Sequence, residues 1–317
     1  MKKGSRCFRR AAALLLAAVL MTAAAGCFAE EKGASAMFAD SLPNSYMYPL
    51  KDGGGKVVGI TYPSRDYFGD RAEIEKHALV YLPAGYSEDV PCDVLFLCHG
   101  IGGTEYEWNF SNTPGNLSGK YVADHAFSDG LVKNLIIVLP NGRSTANYKD
   151  TSWNSMGAFY VFGQELRNDL IPYIDEHYST WSGRLKDDPA AARRHRAMAG
   201  LSMGGMQTIN IGMCECLDLI SAFGAFSAAP TSKTAGEIAQ LLKAFPEDLD
   251  IRCFYNICGT EDDTAYWSAS AAAKTKPADS RLTESNWYWQ ELPGTHDFKI
   301  WYLGLFNFLK LLGSMQE

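Results

Sequence analysis

Short apolar runs recur along the chain at residues 57–61, 76–82 (KHALVYL), 93–98 (DVLFLC), 134–139 (NLIIVL), 196–201, 222–227, 251–258 (IRCFYNIC) and 286–292 (NWYWQEL). Their length is that of strands rather than helices, and most are rich in β-branched or aromatic side chains. Between the later runs the apolar residues fall at helical spacing, notably over 162–177, 203–213, 234–244 and 297–312. A continuously apolar strand needs cover on both faces, and intervening helices provide it. The pattern predicts an α/β protein with a mainly parallel central sheet and helices on both faces. The first two runs lie close enough to enter as an antiparallel pair. No linker-like stretch interrupts 56–312, and no repeat at a 20–50-residue period is visible, so one domain is expected over 56–317 and solenoids or propellers are excluded.

The first residues follow a different logic. Residues 2–10 are basic, residues 11–25 form one apolar run, and small residues lead to Gly26-Cys27. That order of charged, apolar and cleavage regions predicts a secretory signal over 1–27, and the run is short for a membrane span. Ala24-Ala25-Gly26-Cys27 is similar to a bacterial lipobox, with Ala24 where Leu is usual. Cys27 is therefore the candidate lipidation site, and cleavage near Ala29 without lipid is the alternative. The rest of the chain is expected outside the cytoplasmic membrane, held at its outer face by lipid or secreted. Residues 28–55, with no sustained periodicity over 28–50, read as a tether.

Composition narrows the function. With 47% hydrophobic and 21% charged residues the chain can bury a sizeable core. Its 29 Lys and Arg against 36 Asp and Glu give a net charge of −7, and every charge before Cys27 is positive, so the remainder is more acidic still. Nucleic-acid binding, which needs a basic footprint, is disfavoured. Of eight cysteines, Cys92, Cys98, Cys214, Cys216, Cys253 and Cys258 lie in the expected domain. Their spacing does not match a small disulfide scaffold, although Cys92–Cys98 and Cys253–Cys258 stay open as pairs. Cys214-Glu215-Cys216 lacks a matching Cys/His pair, so no metal is expected.

Chemistry enters at Gly200-Leu201-Ser202-Met203-Gly204, where a strand pattern runs into a helical one. This is G-x-S-x-G in the strand–turn–helix setting of a nucleophile elbow, and Ser202 is the candidate nucleophile. A serine hydroxyl needs a base. His296 is the only histidine after Ser202, as the order Ser…Asp/Glu…His requires; His77, His125, His177 and His195 read as surface or packing residues. The candidate acid is Asp262, in the turn after 251–258, with Asp263 and Glu261 as alternatives. Leu97-Cys98-His99-Gly100-Ile101-Gly102-Gly103 supplies small residues after an earlier strand. The backbone N–H groups of Ile101 and Met203 are the candidate oxyanion donors, with Gly102 the alternative and His99 a loop organiser. A phosphate loop is the competing reading, but the Lys and hydroxyl of that motif are missing.

These residues resemble the feruloyl and acetylxylan esterases of carbohydrate esterase family 1, within the esterase-D-like α/β-hydrolases. The likeness rests on YPSRDYFGDRA (62–72), FLCHGIGGTEYEW (96–108), LRNDLIPYIDEHYS (166–179), HRAMAGLSMGGMQTINIG (195–212), FGAFSAAPT (223–231), ICGTEDD (257–263) and GTHDFKIWYLGLFNFL (294–309), and so spans nearly all of 56–312. It implies the α/β-hydrolase fold, a Ser202–His296–Asp262 triad, no cofactor, and feruloylated or acetylated plant polysaccharide as partner. Glu261 departs from the Asn that often precedes the acid in that family. Gly102, Trp108 and Trp153 are candidate substrate contacts, with core packing the alternative for both tryptophans. Trp287, Trp289 and Trp301 read as structural. The expected activity is removal of feruloyl groups through an acyl-enzyme. The alternatives are an acetylxylan esterase, a general carboxylesterase or acyltransferase, and a surface glycan-binding protein without turnover.

Overall fold

The computed structural model describes residues 37–110 and 117–316. Its contacts divide the chain after Ser41; of the first unit only the bend 37–41 is described, and the second, from Leu42, holds every described strand. The strands are β1 (Lys56–Arg65), β2 (Glu73–Leu82), β3 (Asp93–Cys98), β4 (Leu135–Pro140), β5 (Arg196–Leu201), β6 (Ala222–Phe226), β7 (Cys253–Gly259) and β8 (Trp287–Leu292). They form one sheet in the order β1-β2-β4-β3-β5-β6-β7-β8. β1 pairs antiparallel with β2, and β2 with β4, while the strands from β4 to β8 pair in parallel. All eight predicted runs are strands, and the antiparallel entry is present.

Burial follows position in the sheet. Every residue of β4, β5, β6 and β7 is buried, as strands covered on both faces require, whereas β1 at one edge alternates buried and exposed over its second half. The architecture is the α/β-hydrolase fold.

The described helices are α1 (Gly119–Ser128), α2 over 162–177, α3 over 203–213, α4 (Ala235–Leu242), α5 (Tyr266–Ala273) and α6 (Phe298–Ser314), besides shorter turns. Both α2 and α3 contain a π-helical turn, Leu166–Leu170 and Thr208–Met213. Two helices carry no sequence signal. Most of α1 is buried, polar residues included, and it is stabilised by the Ser118 cap and a 2.7 Å Lys120–Asp124 pair. Its periphery gives no polar face to read. α5 (YWSASAAA) is made largely of small residues and shows no apolar stripe.

The packed body starts upstream of the expected Lys56 boundary. Tyr46 is buried, its hydroxyl donates to Asp129 at 2.8 Å, and its ring stacks on His125 with centroids 4.8 Å apart. The stretch assigned to a tether thus contributes a packed aromatic. The six domain cysteines are all buried and unpaired, so neither candidate disulfide forms. Signal residues 1–27 and the Cys27 lipidation site lie outside the described residues.

Candidate active site

β3, β5, β7 and β8 run parallel, so the loops leaving their carboxyl ends lie on one edge of the sheet, where open α/β sheets carry their sites. Ser202 follows β5 with φ 48° and ψ −113°, a strained geometry for a residue with a side chain. The strain is held from both sides: the Ser202 N–H donates to the Phe226 carbonyl at 2.9 Å, and its carbonyl accepts from Ala229 and Met206 at 3.0 Å each. A Cβ on Gly200 would sit 2.6 Å from the Gly204 carbonyl carbon, and one on Gly204 would sit 2.5 Å from the Cys98 carbonyl oxygen. The two glycines let strand, elbow and helix cross at backbone distance.

The structure brings Ser202, His296 and Asp262 into one hydrogen-bonded line. His296 Nε2 lies 3.0 Å from Ser202 Oγ, and Nδ1 lies 2.8 Å from Asp262 Oδ2. With Nδ1–H donating to the carboxylate, Nε2 is left to accept from the serine hydroxyl. Asp262 is buried, and its Oδ1 accepts from the N–H groups of Ala265 at 2.8 Å and Thr264 at 3.1 Å. Burial alone would raise its pKa; the His296 hydrogen bond and charge, with the Ala265 N–H and the Ser227 hydroxyl, outweigh it and hold the carboxyl below its ordinary range. Glu261 and Asp263, the alternatives, are exposed in the same turn. Trp301 meets the His296 ring edge to face at 5.1 Å, a contact beyond the structural role expected of it.

Ile101, Gly102 and Gly103 follow β3 in a turn supported both by neighbouring residues and by residues remote in sequence. His99 is fully enclosed: its Nε2 accepts from the Gly142 N–H at 3.0 Å and its Nδ1–H donates to the Gly100 carbonyl at 2.7 Å. Burial, helped by the Arg143 charge, pushes its pKa down to about 3, so the ring is a neutral organiser, as expected. Glu107 Oε2 accepts from the Gly100 N–H at 2.6 Å, and burial raises its pKa. Arg143, fully buried, donates to the carbonyls of Gly103 at 2.7 Å and Ile101, and to the Ser155 hydroxyl at 2.9 Å. Neither Glu107 nor Arg143 was legible in sequence, because each acts on backbone and belongs to no motif. Met203 opens α3, so its N–H lies outside the intrahelical ladder.

Trp108 is not a substrate contact. It is 1% exposed, its Nε1–H donates to the Cys98 carbonyl at 3.0 Å, and Phe226 and Phe298 meet it edge to face. Trp153 is 72% exposed at the start of a 3₁₀ helix, Trp153–Val161, and Gly102 is exposed in its turn. The apolar side chains packed with Met203 and Ile101 beside the elbow come from residues the sequence did not single out. Phe159, Met203, Met206 and Ala229 cluster there, with the partly buried Ile101, Met156 and Tyr160 packed against them. Among the described residues no group of three His, Cys, Asp or Glu side chains is arranged to hold a metal ion.

The chain is similar to proteins of known sequence and of known structure. The chain is 29% identical over 272 residues to endo-1,4-beta-xylanase Y of Acetivibrio thermocellus, covering 80% of this chain and 23% of that protein. It is 36% identical over 138 residues to an endo-1,4-beta-xylanase/feruloyl esterase of Xylanibacter ruminicola, covering 41% of this chain and 16% of that protein. The chain thus spans less than a quarter of either relative. Its structure is similar to that of the CE1 ferulic acid esterase of the anaerobic fungus Anaeromyces mucronatus, with a TM-score of 0.67, 26% identity, and coverage of 88% of this chain and 99% of that one. The putative esterase family matches residues 71–311, a span that contains Ser202, Asp262 and His296 and every strand from β2 to β8; the chain belongs to that family.

Proposed function

We propose that the protein is a serine carboxylic-ester hydrolase that removes feruloyl groups from plant cell-wall polysaccharide such as arabinoxylan. The observation that carries this reading is the Ser202–His296–Asp262 line at the carboxyl edge of the sheet. The likeness to a ferulic acid esterase and to xylanase-linked relatives supports the substrate class. In this reading His296 takes the proton as Ser202 Oγ attacks the ester carbonyl, and Asp262 holds the imidazole and stabilises its charged form. The developing oxyanion is met by backbone N–H groups from Met203 and from Ile101 or Gly102. His296 returns the proton to the departing sugar hydroxyl, then activates the water that frees ferulate. The partly buried Ile101, Met156 and Tyr160, backed by the enclosed Phe159 and Met206, offer an apolar, aromatic wall that suits a cinnamoyl ring.

The test is release of ferulate from methyl ferulate and feruloylated arabinoxylan, and of acetate from acetylated xylan, by wild type and Ser202→Ala. Ferulate release lowered about 10⁶-fold by the substitution is expected. Acetate release alone would move the protein to acetylxylan, and glycan binding without serine-dependent release would make it a binding protein. We further propose that Cys27 is lipidated and tethers the enzyme to the outer face of the bacterial cytoplasmic membrane. Mass spectrometry of membrane fractions should find diacylglycerol on Cys27; a soluble chain beginning elsewhere would refute it.

A further inference from the structure

We infer that Arg143 is the positioning residue of the oxyanion loop: its guanidinium fork turns the peptide planes after Ile101 and Gly103 so that their N–H groups face away from it. The inference rests on the esterase reading above and deepens it. A trans peptide points its C=O and N–H in opposite directions, so fixing a carbonyl fixes the next residue's N–H. Three of the four carbonyls from Gly100 to Gly103 are held by side chains in this way. The Gly100 carbonyl accepts from His99 Nδ1–H at 2.7 Å and from the Gly103 N–H at 3.2 Å, which sets the Ile101 N–H. The Ile101 carbonyl accepts from one terminal nitrogen of Arg143, which sets the Gly102 N–H, and the Gly103 carbonyl accepts from the other at 2.7 Å. Both proposed donors on this loop, Ile101 and Gly102, thus owe their direction to a side chain clamping the other end of the same peptide.

Arg143 can act as a clamp because it is itself immobilised. Its Nε–H is anchored on Ser155 Oγ at 2.9 Å and its guanidinium lies over the Phe159 ring at 4.7 Å. Its backbone is pinned as well. Buried Lys76, paired with Glu165 at 3.1 Å, donates to the carbonyls of Asn141 at 3.0 Å and Arg143 at 2.5 Å, and Gln207 of α3 donates to the Gly142 carbonyl at 2.9 Å. Gln207 thereby links the elbow helix to the clamp. A lysine in place of Arg143 keeps the charge but lacks the planar fork that reaches two carbonyls at once.

The experiment compares wild type, Arg143→Lys and Ser155→Ala in ferulate release and in inhibition by a phenylpropenyl trifluoromethyl ketone, whose serine adduct carries an oxyanion, against inhibition by ferulate. For Arg143→Lys we expect kcat to fall about 10- to 100-fold with KM within about threefold, somewhat less than removal of a whole oxyanion donor. The ketone should weaken by the same factor while ferulate inhibition stays put. Ser155→Ala should show the same split at about three- to tenfold. A folded Arg143→Lys with unchanged kcat, a rise in KM alone, or a kcat loss without weaker ketone binding would overturn the assignment. If Arg143→Lys does not fold, unchanged kcat and ketone affinity in Ser155→Ala overturn it instead. Ser202→Ala distinguishes the underlying reading: if it releases ferulate like wild type, the esterase assignment falls whatever Arg143 does.

Discussion

The elbow after β5 and the turn after β3 leave neighbouring strands at the same sheet edge, yet they are built by opposite means. The elbow's own residues are local: a strained serine, two glycines that admit backbone at contact distance, and the first turn of α3 lie within seven consecutive residues, and distant chain meets their backbone through the backbone of Phe226, Ala229 and Cys98. The turn is held by side chains, His99 and Glu107 from within it or just beyond and Arg143 across 40 and 42 residues, with the Gly142 N–H seating His99 across 43. A local device writes itself into a motif, because the same few positions must satisfy all its constraints. A remote one leaves small residues at one place and an isolated arginine at another, with nothing in the spacing to join them.

Substitutions can break or sharpen that contrast. After Ser202→Ala, the largest effect is expected at Asp262→Asn, which should lower kcat about 10⁴-fold by favouring the wrong His296 tautomer; Asp263→Asn should leave kcat near wild type, and the reverse result would move the acid by one residue. Next, Trp108→Ala should lower unfolding stability in urea by about 3–5 kcal/mol because the side chain is fully enclosed. Trp153→Ala, at an exposed site, should stay within about 0.5 kcal/mol. At the elbow itself, Gly204→Ala forces a Cβ against the Cys98 carbonyl and should cost about 10²-fold in kcat by displacing elbow and turn together. Wild-type activity in that variant would show the two devices to be independent.

The smallest effect is a slope. His99 in the folded chain is pushed down to about 3 from its usual 6.5, so between those values the unfolded chain binds a proton that the native one does not. Stability is therefore lost as pH falls through that window, by about 1.4 kcal/mol per pH unit from this group. Urea titrations from pH 4 to 6 should give His99→Gln a shallower decline than wild type by that amount. Parallel slopes would mean that the ring is charged in the native state.

The same contrast explains what was readable beforehand. The inner strands were legible because buried parallel strands are written as continuous apolar runs, and β1, β2 and β8 because their shorter apolar stretches are still rich in β-branched and aromatic residues. Ser202, His296 and Asp262 could be named because the fold dictates their order and their loops. α1 was hidden because tertiary contacts bury its polar residues, and α5 because alanine and serine carry no periodic signal. Trp108 could not be assigned between substrate contact and core because a large aromatic beside a glycine-rich turn looks the same in sequence whether it faces a ligand or a core. Met156 and Tyr160, packed against the enclosed Phe159, come from a 3₁₀ helix, whose spacing matches neither the helical nor the strand period.

The six enclosed thiols bear on how the protein would wear out. Burial pushes the pKa of Cys92 up to about 11 and those of Cys214, Cys216, Cys253 and Cys258 to about 12, with Cys98 also raised, so the native chain offers oxidants little thiolate. Unfolding removes that shield from all six at once, and none of the pairings then open to them exists in the native state. In aerated buffer, thermal inactivation should consequently run one way, with a half-life set by the unfolding rate, while a reductant should restore recovery on cooling.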